Sequence, residues 1–197
     1  MVSTMTDEQT IRVAILSDTH GFLDSRIAAR VASCDYAVHA GDVGGADVLC
    51  ALHPRVQVIA VRGNNDTHDR WAESEMNFLD NLPQQAELNL PGGLLVVVHG
   101  NDSRSLSDRH RYLRRQFPEA RGVVYGHSHR LVMDCEALPW ILNPGAAGRT
   151  RTNGGPSCLL LNCTDQGWQI EALQLPARKY PNRDGQRRAA RQSPTGS

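Results

Sequence analysis

Five short motifs of acidic, amide and imidazole side chains occur along the chain, each directly after a predicted strand. They are Asp18-Thr19-His20, Gly41-Asp42, Gly63-Asn64-Asn65-Asp66, His99-Gly100 and Gly126-His127-Ser128-His129. Because an open α/β sheet binds ligands beyond the carboxyl ends of its strands, we expect the motifs to converge on one cleft. Asp18 and His20 are two residues apart, as are His127 and His129, so in extended chain each pair would point to one side.

The side chains of these motifs form a ligand set for divalent metal ions, since oxygen and imidazole nitrogen suit borderline metals. Seven donors exceed the four of a structural zinc site, whereas seven with one shared carboxylate suit two ions. Two ions with solvent completing each shell are the arrangement used for displacement at phosphorus. The candidate metal ligands are Asp18, His20, Asp42, Asn64, His99, His127 and His129.

Strands that alternate with helices are predicted to position the motifs. In the first half of the chain this alternation indicates βαβ units and a largely parallel sheet, and a hairpin of 86–90 with 94–99 follows. Ser105 and Asp108 have capping-box spacing, which predicts the start of the last helix. The predicted strands are 11–17, 36–40, 56–61, 86–90, 94–99, 122–125, 131–136, 140–143, 158–162 and 168–175. The predicted helices are 25–32, 46–52, 70–79 and 105–117.

The composition predicts one ordered domain, 11–176, between a flexible N-terminus, 1–10, and a disordered basic tail, 177–197. The tail is rich in Arg, Gln, Gly, Pro and Ser and has almost no apolar residues. The longest apolar runs are strand-sized and the first ten residues lack a secretory layout, so neither a membrane span nor a signal peptide is expected. Five cysteines without a CxxC pair favour reduced thiols and a cytoplasmic location.

The ordered motifs DxH, GD, GNxD, HG and GHxH resemble those of the calcineurin-like metallophosphoesterase superfamily, closest to its small prokaryotic phosphodiesterase branch. Asn143-Pro144-Gly145, after the last histidines, fits as well, and the resemblance covers roughly 11–175. It implies an α/β fold (α+β in some schemes) built as a four-layer αββα sandwich, with the site between the two sheets.

The resemblance also implies a role for each candidate ligand. Asp18, His20 and His129 would hold a first metal. Asn64, His99 and His127 would hold a second, and Asp42 would bridge the two. Manganese is the expected metal, with iron, zinc, nickel and cobalt as alternatives.

The hypothesis from these roles is a phosphoesterase in which a hydroxide bridging the metals attacks phosphorus in line. Asn65 departs from the family, because many catalytic members have a histidine there that is thought to protonate the leaving group. An amide cannot act as a general acid, so we expect a preference for phosphodiesters or other esters with good leaving groups. Asp66 is expected to orient a ligand. Asn64 and Arg149 are the expected substrate-binding residues, with Arg151 beside Arg149 as a further phosphate contact, although a solvated loop is the plainer interpretation of the arginines.

Other functions remain open at this point. A phosphomonoesterase or nucleotidase would use the same ligands, and the same fold serves as the scaffold subunit of retromer, where parts of the metal motif are altered. A small phosphate ester is the expected partner, a homodimer is an alternative to a monomer, and the domain lacks the broad basic surface of a nucleic-acid binder.

The remaining histidines and a cluster of arginines have plainer interpretations. His39 is expected to support the site from a strand, and His68 could reach the cleft. His53 and His110 are expected to be solvated on helices. The exposed face of the last helix is expected to carry Arg109, Arg111, Arg114 and Arg115.

Overall fold

Two stacked five-stranded sheets form the centre of the protein in a computed structural model that describes residues 10–101 and 105–178. The first sheet has three parallel strands and an antiparallel pair, β9 and β10, beside them. Its strands are β1 (Ile11–Leu16), β2 (Tyr36–His39), β3 (Gln57–Ala60), β9 (Ser157–Thr164) and β10 (Gly167–Gln174), in the order β10-β9-β1-β2-β3.

The second sheet has the same mixed character. Its three central strands are parallel, and an antiparallel strand flanks them on each side. The strands are β4 (Gln85–Leu90), β5 (Gly93–Val98), β6 (Gly122–Val124), β7 (Leu131–Asp134) and β8 (Trp140–Pro144), in the order β4-β5-β6-β8-β7. The largely parallel arrangement predicted for the first half of the chain is confirmed in β1, β2 and β3, and the predicted hairpin is β4 with β5. The antiparallel strands β7, β9 and β10 come from the second half, which makes both sheets mixed.

Successive side chains along each strand point to opposite faces of the sheet, and this alternation creates the layers. Val13 and Ile15 point into the core between the sheets, whereas Ala14 and Leu16 point outward to a helical layer. Val96 of β5 likewise packs outward, against Leu113 of the last helix. The order helix, sheet, sheet, helix confirms the four-layer αββα sandwich.

Four α-helices are found in the described residues. They are α1 (Ser25–Val31), α2 (Ala46–Cys50), α3 (Met76–Asp80) and α4 (Leu106–Gln116). Ser105 caps α4 as predicted, since its hydroxyl oxygen accepts from the Asp108 amide at 3.3 Å. The predicted helix 70–79 is wrong at its start: Trp71 donates its indole N–H to Asp66, which holds this segment as a turn, and a 3-10 helix, Glu73–Glu75, leads into α3.

The chain ends lie mostly outside the described residues, so the flexible N-terminus 1–10 and the disordered tail 177–197 stay predictions. Within the described ranges, no helix is both long and apolar enough to cross a membrane. All five cysteines are free thiols, and burial raises the pKa of Cys158 and of Cys163 to about 12.

Candidate metal centre

All five motifs lie at the ends of the strands that precede them, as predicted, in the loops after β1, β2, β3, β5 and β6. Backbone hydrogen bonds tie these loops together: Asp18 donates to the Gly41 carbonyl at 3.0 Å, and His20 donates to that of Asp42 at 3.0 Å. A third bond joins the second sheet's loops, from the Gly126 amide to the His99 carbonyl at 3.1 Å. Convergence of the motifs on one site is confirmed.

The first group of ligands consists of Asp18, His20, Asp42 and His129, which each offer one ligand atom within 4.8 Å of the others. His129 Nε2 lies 3.2 Å from His20 Nε2 and 3.3 Å from Asp18 Oδ1. Metal–ligand bonds of about 2.1 Å place neighbouring ligands about 3.0 Å apart around an octahedral ion and about 3.4 Å apart around a tetrahedral one. The spacing of this group fits a divalent cation.

The second group consists of Asp42, His99 and His127, again with ligand atoms within 4.8 Å of one another, so that Asp42 belongs to both groups. Asn64 joins it, because its Oδ1 lies 2.9 Å from His99 Nε2 and 2.9 Å from His127 Nδ1. His99 Nδ1 donates to the Ala40 carbonyl at 2.8 Å, so a neutral ring turns the Nε2 lone pair toward the oxygens of Asn64 and Asp42. Three acceptor atoms that face one another form a set that a bound cation could satisfy.

Burial and mutual charge prepare the histidines for metal binding. Burial lowers the pKa of His20 and, together with the charge of His99, that of His127. Burial, helped by Arg151 and His20, lowers the pKa of His129 to about 4. These rings are neutral near pH 7, which is the form that binds metals.

The two carboxylates respond differently to the site. Burial raises the pKa of Asp18 to about 7, against the opposing hydrogen bond from Ser17. Burial also opposes ionisation of Asp42, but the hydrogen bond and charge of His99 and two hydrogen bonds from Asn65 outweigh it, so its pKa lies below the usual range. His99 in turn loses affinity for protons by burial and gains more from Asp42, so its pKa is raised.

The backbone of the motifs differs from the prediction. Asp18 and His20 have φ of 54° and 47°, and His127 and His129 have φ of 65° and 57°. The expectation that extended chain points each pair to one side is wrong, because left-handed turns after the strands do so instead. Asp42 shares this conformation, with φ of 55°.

Glycines leave room for the ligands at two close approaches. A Cβ on Gly63 would lie 2.3 Å from Asp42 Oδ1, and one on Gly41 would lie 2.6 Å from His99 Nδ1. Gly41 also has a φ of 87°, which glycine adopts without strain.

Asp66 and His39 support the ligand loops from behind, as expected. The carboxylate of Asp66 accepts from the amides of Val43, Gly44 and Gly63 at 2.9–3.1 Å and therefore joins the loops after β2 and β3. His39 Nε2 lies 2.9 Å from the hydroxyl of Thr19, which donates to the Val43 carbonyl at 2.9 Å. Burial lowers the pKa of His39 to about 4, so this ring is neutral.

Asn65 faces the shared carboxylate. Its backbone amide donates to Asp42 Oδ1 at 2.8 Å and its side-chain amide to Oδ2 at 2.7 Å. Arg70 donates to Asn65 Oδ1, which fixes the orientation of the amide.

The two arginines of the Gly-rich segment lie in different surroundings. The guanidinium carbon of Arg149 lies 5.1 Å from the centre of the Phe22 ring. Among the described residues, no contact joins Arg149 to a candidate ligand. Arg151 reaches the site, with a terminal nitrogen 3.1 Å from His129 Nε2. The geometry therefore favours Arg151, which the sequence did not distinguish from its neighbour.

His110 and Arg109 are not on a solvated helix face, and that expectation is wrong for both. His110 is 8% exposed, its Nδ1 lies 2.7 Å from Asp134 Oδ2, and its Nε2 lies 3.2 Å from the Tyr125 hydroxyl. Arg109 is 6% exposed and lies over the Tyr125 ring. Local sequence patterns do not predict this polar cluster, because its members come from α4, from β7 and from the residue that follows β6.

The remaining predictions are mixed. Arg111 and Arg115 are exposed, whereas Arg114 is half-buried and donates to Asp134 at 2.6 Å. His53 is exposed but lies beyond the end of α2, not on a helix. His68 is exposed and pairs with Asp80 at 2.9 Å. Asn143, buried in β8, holds the last histidine loop through the Gly126 carbonyl at 2.8 Å and the Ser128 hydroxyl at 3.1 Å.

Residues 11–166 match the calcineurin-like phosphoesterase superfamily domain, and the chain belongs to that superfamily. A probable metallophosphoesterase of Methanocaldococcus jannaschii is 28% identical over 146 residues, which are 70% of this chain and 68% of the relative. The resemblance inferred from the five motifs is thus confirmed.

Solved structures share the fold. Vacuolar protein sorting 29 from Cryptosporidium parvum aligns with a TM-score of 0.66 at 17% identity, over 85% of this chain and 98% of that one. A structure described as a novel archaeal phosphodiesterase aligns with a TM-score of 0.58 at 20% identity, over 83% of this chain and 100% of that one. At these identities the likeness concerns the fold alone.

Proposed function

We propose that this chain is a binuclear metal-dependent phosphodiesterase. The observation that carries the proposal is Asp42, whose two carboxylate oxygens face two separate ligand groups. In this assignment Asp18, His20 and His129 would hold one ion, Asn64, His99 and His127 would hold the other, and Asp42 would contribute to both. Manganese is the proposed metal, with iron, zinc, nickel and cobalt as alternatives for the same nitrogen and oxygen donors.

Bound divalent ions would supply a hydroxide nucleophile from water near neutral pH and offset charge on the phosphoryl oxygens. The protein's own part is to keep the ligands in place. Ala40 fixes the tautomer of His99, and the Thr150 carbonyl, 3.3 Å from His129 Nδ1, does the same for His129. Arg151 stands beside His129 with a cationic group suited to a substrate phosphate.

The preference for diesters follows from Asn65. Its amide is committed to Asp42 and Arg70, and an amide has no proton to give an alkoxide leaving group. General acid catalysis is worth about 10²–10⁴ in rate, so its loss weighs most on poor leaving groups. We therefore propose that the preferred substrates are esters with activated or acidic leaving groups, and that diesters are preferred to monoesters.

The experiment is to measure metal content and hydrolysis of bis-p-nitrophenyl phosphate with added manganese. We expect about two ions per chain, and a fall of about 10³ in kcat/KM in Asp42→Asn with loss of metal. Faster hydrolysis of p-nitrophenyl phosphate than of the diester would favour the phosphomonoesterase or nucleotidase. A metal-loaded protein that hydrolyses neither ester would favour the non-catalytic scaffold.

The proposal includes the partner and the location of the protein. The partner is a small phosphate ester, and neither a nucleic acid nor a membrane. The free, largely buried thiols are in keeping with a cytoplasmic protein. Sedimentation would distinguish a monomer from the homodimer that the sequence leaves open.

A further inference from the structure

A cavity of about 410 Å³ opens beside the second ligand group. Asn64, whose Oδ1 contacts both His99 and His127, forms part of its wall. The other walls come from the loop after β3, from Gln84 before β4, and from Asn101 after β5. A substrate bound at the metals would therefore have polar space next to it on this side.

The lining of the cavity is built from hydrogen-bonding side chains. Arg62 offers a guanidinium, Gln84 and Asn101 offer amides, and Thr67 offers a hydroxyl. The described lining contains one ring, the imidazole of His68, which pairs with Asp80 at 2.9 Å, and it contains no phenyl or indole ring on which a nucleobase would stack. The lining favours a small, strongly hydrogen-bonding group.

Arg62 is the one arginine or lysine in the described lining of the cavity. Asp66 is the only acid in the described lining, it is 2% exposed, and its carboxylate already accepts four N–H groups, three from the backbone and one from Trp71. Arg62 donates its Nε to the Asp66 carbonyl at 3.0 Å, which anchors the stem of the guanidinium in the wall. The planar fork of an arginine matches phosphate in a bidentate way.

We propose that this cavity binds a second phosphate group of the substrate, and that the preferred substrates are phosphodiesters whose retained substituent carries a phosphate. The inference rests on the proposed phosphodiesterase activity. Arg62 is a specificity-determining residue in this view, because it contacts the distant phosphate and not the reacting one.

The test uses diesters with the same p-nitrophenyl leaving group and different retained groups. The 3-phosphonopropyl ester carries a second anion, the butyl ester is its neutral match, and the thymidine 5′-ester carries a base. With manganese, kcat/KM for the phosphonopropyl ester is expected to be about tenfold that for the butyl ester. Arg62→Gln should bring this ratio close to one, and Arg62→Lys should retain part of it. Arg55→Gln, which removes an exposed arginine paired with Asp35, should leave the ratio unchanged.

Binding separates this inference from the proposed activity. Calorimetry on the manganese-loaded protein would compare propane-1,3-bisphosphonate with propylphosphonate, and about tenfold tighter binding that depends on Arg62 is expected. That difference without hydrolysis of any ester would leave the cavity assignment standing and the activity overturned. Hydrolysis of all esters with no such difference, or a preference for the thymidine ester that survives Arg62→Gln, would overturn the cavity assignment alone. Neither hydrolysis nor an Arg62-dependent difference would overturn both.

Discussion

The two ligand groups of the metal centre share Asp42 and differ in exposure and charge. In the first group Asp18 and His129 are 0% and 3% exposed and His20 is partly exposed. In the second group His99 is 3% exposed, His127 is partly exposed and Asn64 is exposed. The first group has two carboxylates, and the second has one carboxylate and a neutral amide.

This difference suggests that the two ligand groups have different roles, one in binding metal tightly and the other in meeting the substrate. A buried group with two carboxylates attracts a divalent cation more strongly, because charge is less screened and desolvated oxygen ligands gain more from the ion. An open group beside a cavity is where a substrate can enter. We expect the first ion to be held for structure and charge, and the second to exchange and meet the ester.

The largest expected effect comes from breaking the buried group. Asp18→Asn removes a carboxylate that only the first ion uses, so metal content should fall to about one ion per chain and kcat/KM for bis-p-nitrophenyl phosphate by about 10³. Elemental analysis and steady-state kinetics check this, with Asp47→Asn, an exposed acid of α2, as the matched control. Two retained ions with activity within tenfold of wild type would contradict this difference in roles.

The next effect comes from the amide between the groups. Asn65→His places an imidazole near Asp42, where it can protonate a leaving group, and should raise the rate for phenyl esters about 10²-fold while leaving p-nitrophenyl esters nearly unchanged. The ratio of the two rates in each protein is the measurement. An unchanged ratio would show that Asn65 does not face the leaving group.

A smaller effect is expected at the open group. Asn64→Ala removes one neutral ligand of the second ion, so the manganese concentration for half-maximal activity should rise about tenfold, while the first ion stays bound. Titration of activity with manganese gives the midpoint, and Asn89→Ala, exposed in β4, serves as the control. Loss of both ions at once would mean that the two groups bind metal as one unit.

The smallest effect on turnover is expected behind the site, at His39. Its folded pKa of about 4 lies below the ordinary 6.5, so the unfolded state binds more protons between these values and stability falls as the pH drops from 6.5 to 4. His39→Gln should flatten this dependence by about 1.4 kcal/mol per pH unit, with activity at pH 8 changed less than twofold. Urea unfolding in the presence of a chelator, at pH 5 and pH 7.5, measures the difference from wild type. If the free energy of unfolding changed equally between pH 5 and pH 7.5 in both proteins, that result would be at odds with a buried, neutral His39.

Much of the site could be predicted because its signals are local. Each motif directly follows a strand, and the strand ends of parallel β1, β2 and β3 meet at one edge, so the sequence order of the motifs predicts their convergence. The β4–β5 hairpin and the cap at Ser105 were likewise visible, because turn glycines and a capping serine specify local structure.

The features that were missed depend on contacts across the fold. Burial of His110 needs Asp134 from β7 and Tyr125, which directly follows β6, and neither is near it in sequence. The choice between Arg149 and Arg151 depends on Phe22 and His129, which lie more than a hundred and some twenty residues away respectively. The left-handed turns at the ligands were missed because Asp and His adopt positive φ more often than most non-glycine residues but still only in a minority of cases, so their presence after a strand does not predict it.

The left-handed turns at the candidate ligands affect the stability of the fold. A left-handed conformation costs a non-glycine residue about 1–2 kcal/mol and therefore lowers the stability of the fold unless a bound cation offsets the cost. Five candidate ligands have this conformation: Asp18, His20, Asp42, His127 and His129. Glycine at any of them would relieve that strain while deleting a ligand. A glycine variant at one of these positions would therefore be more stable without metal and would bind metal less well.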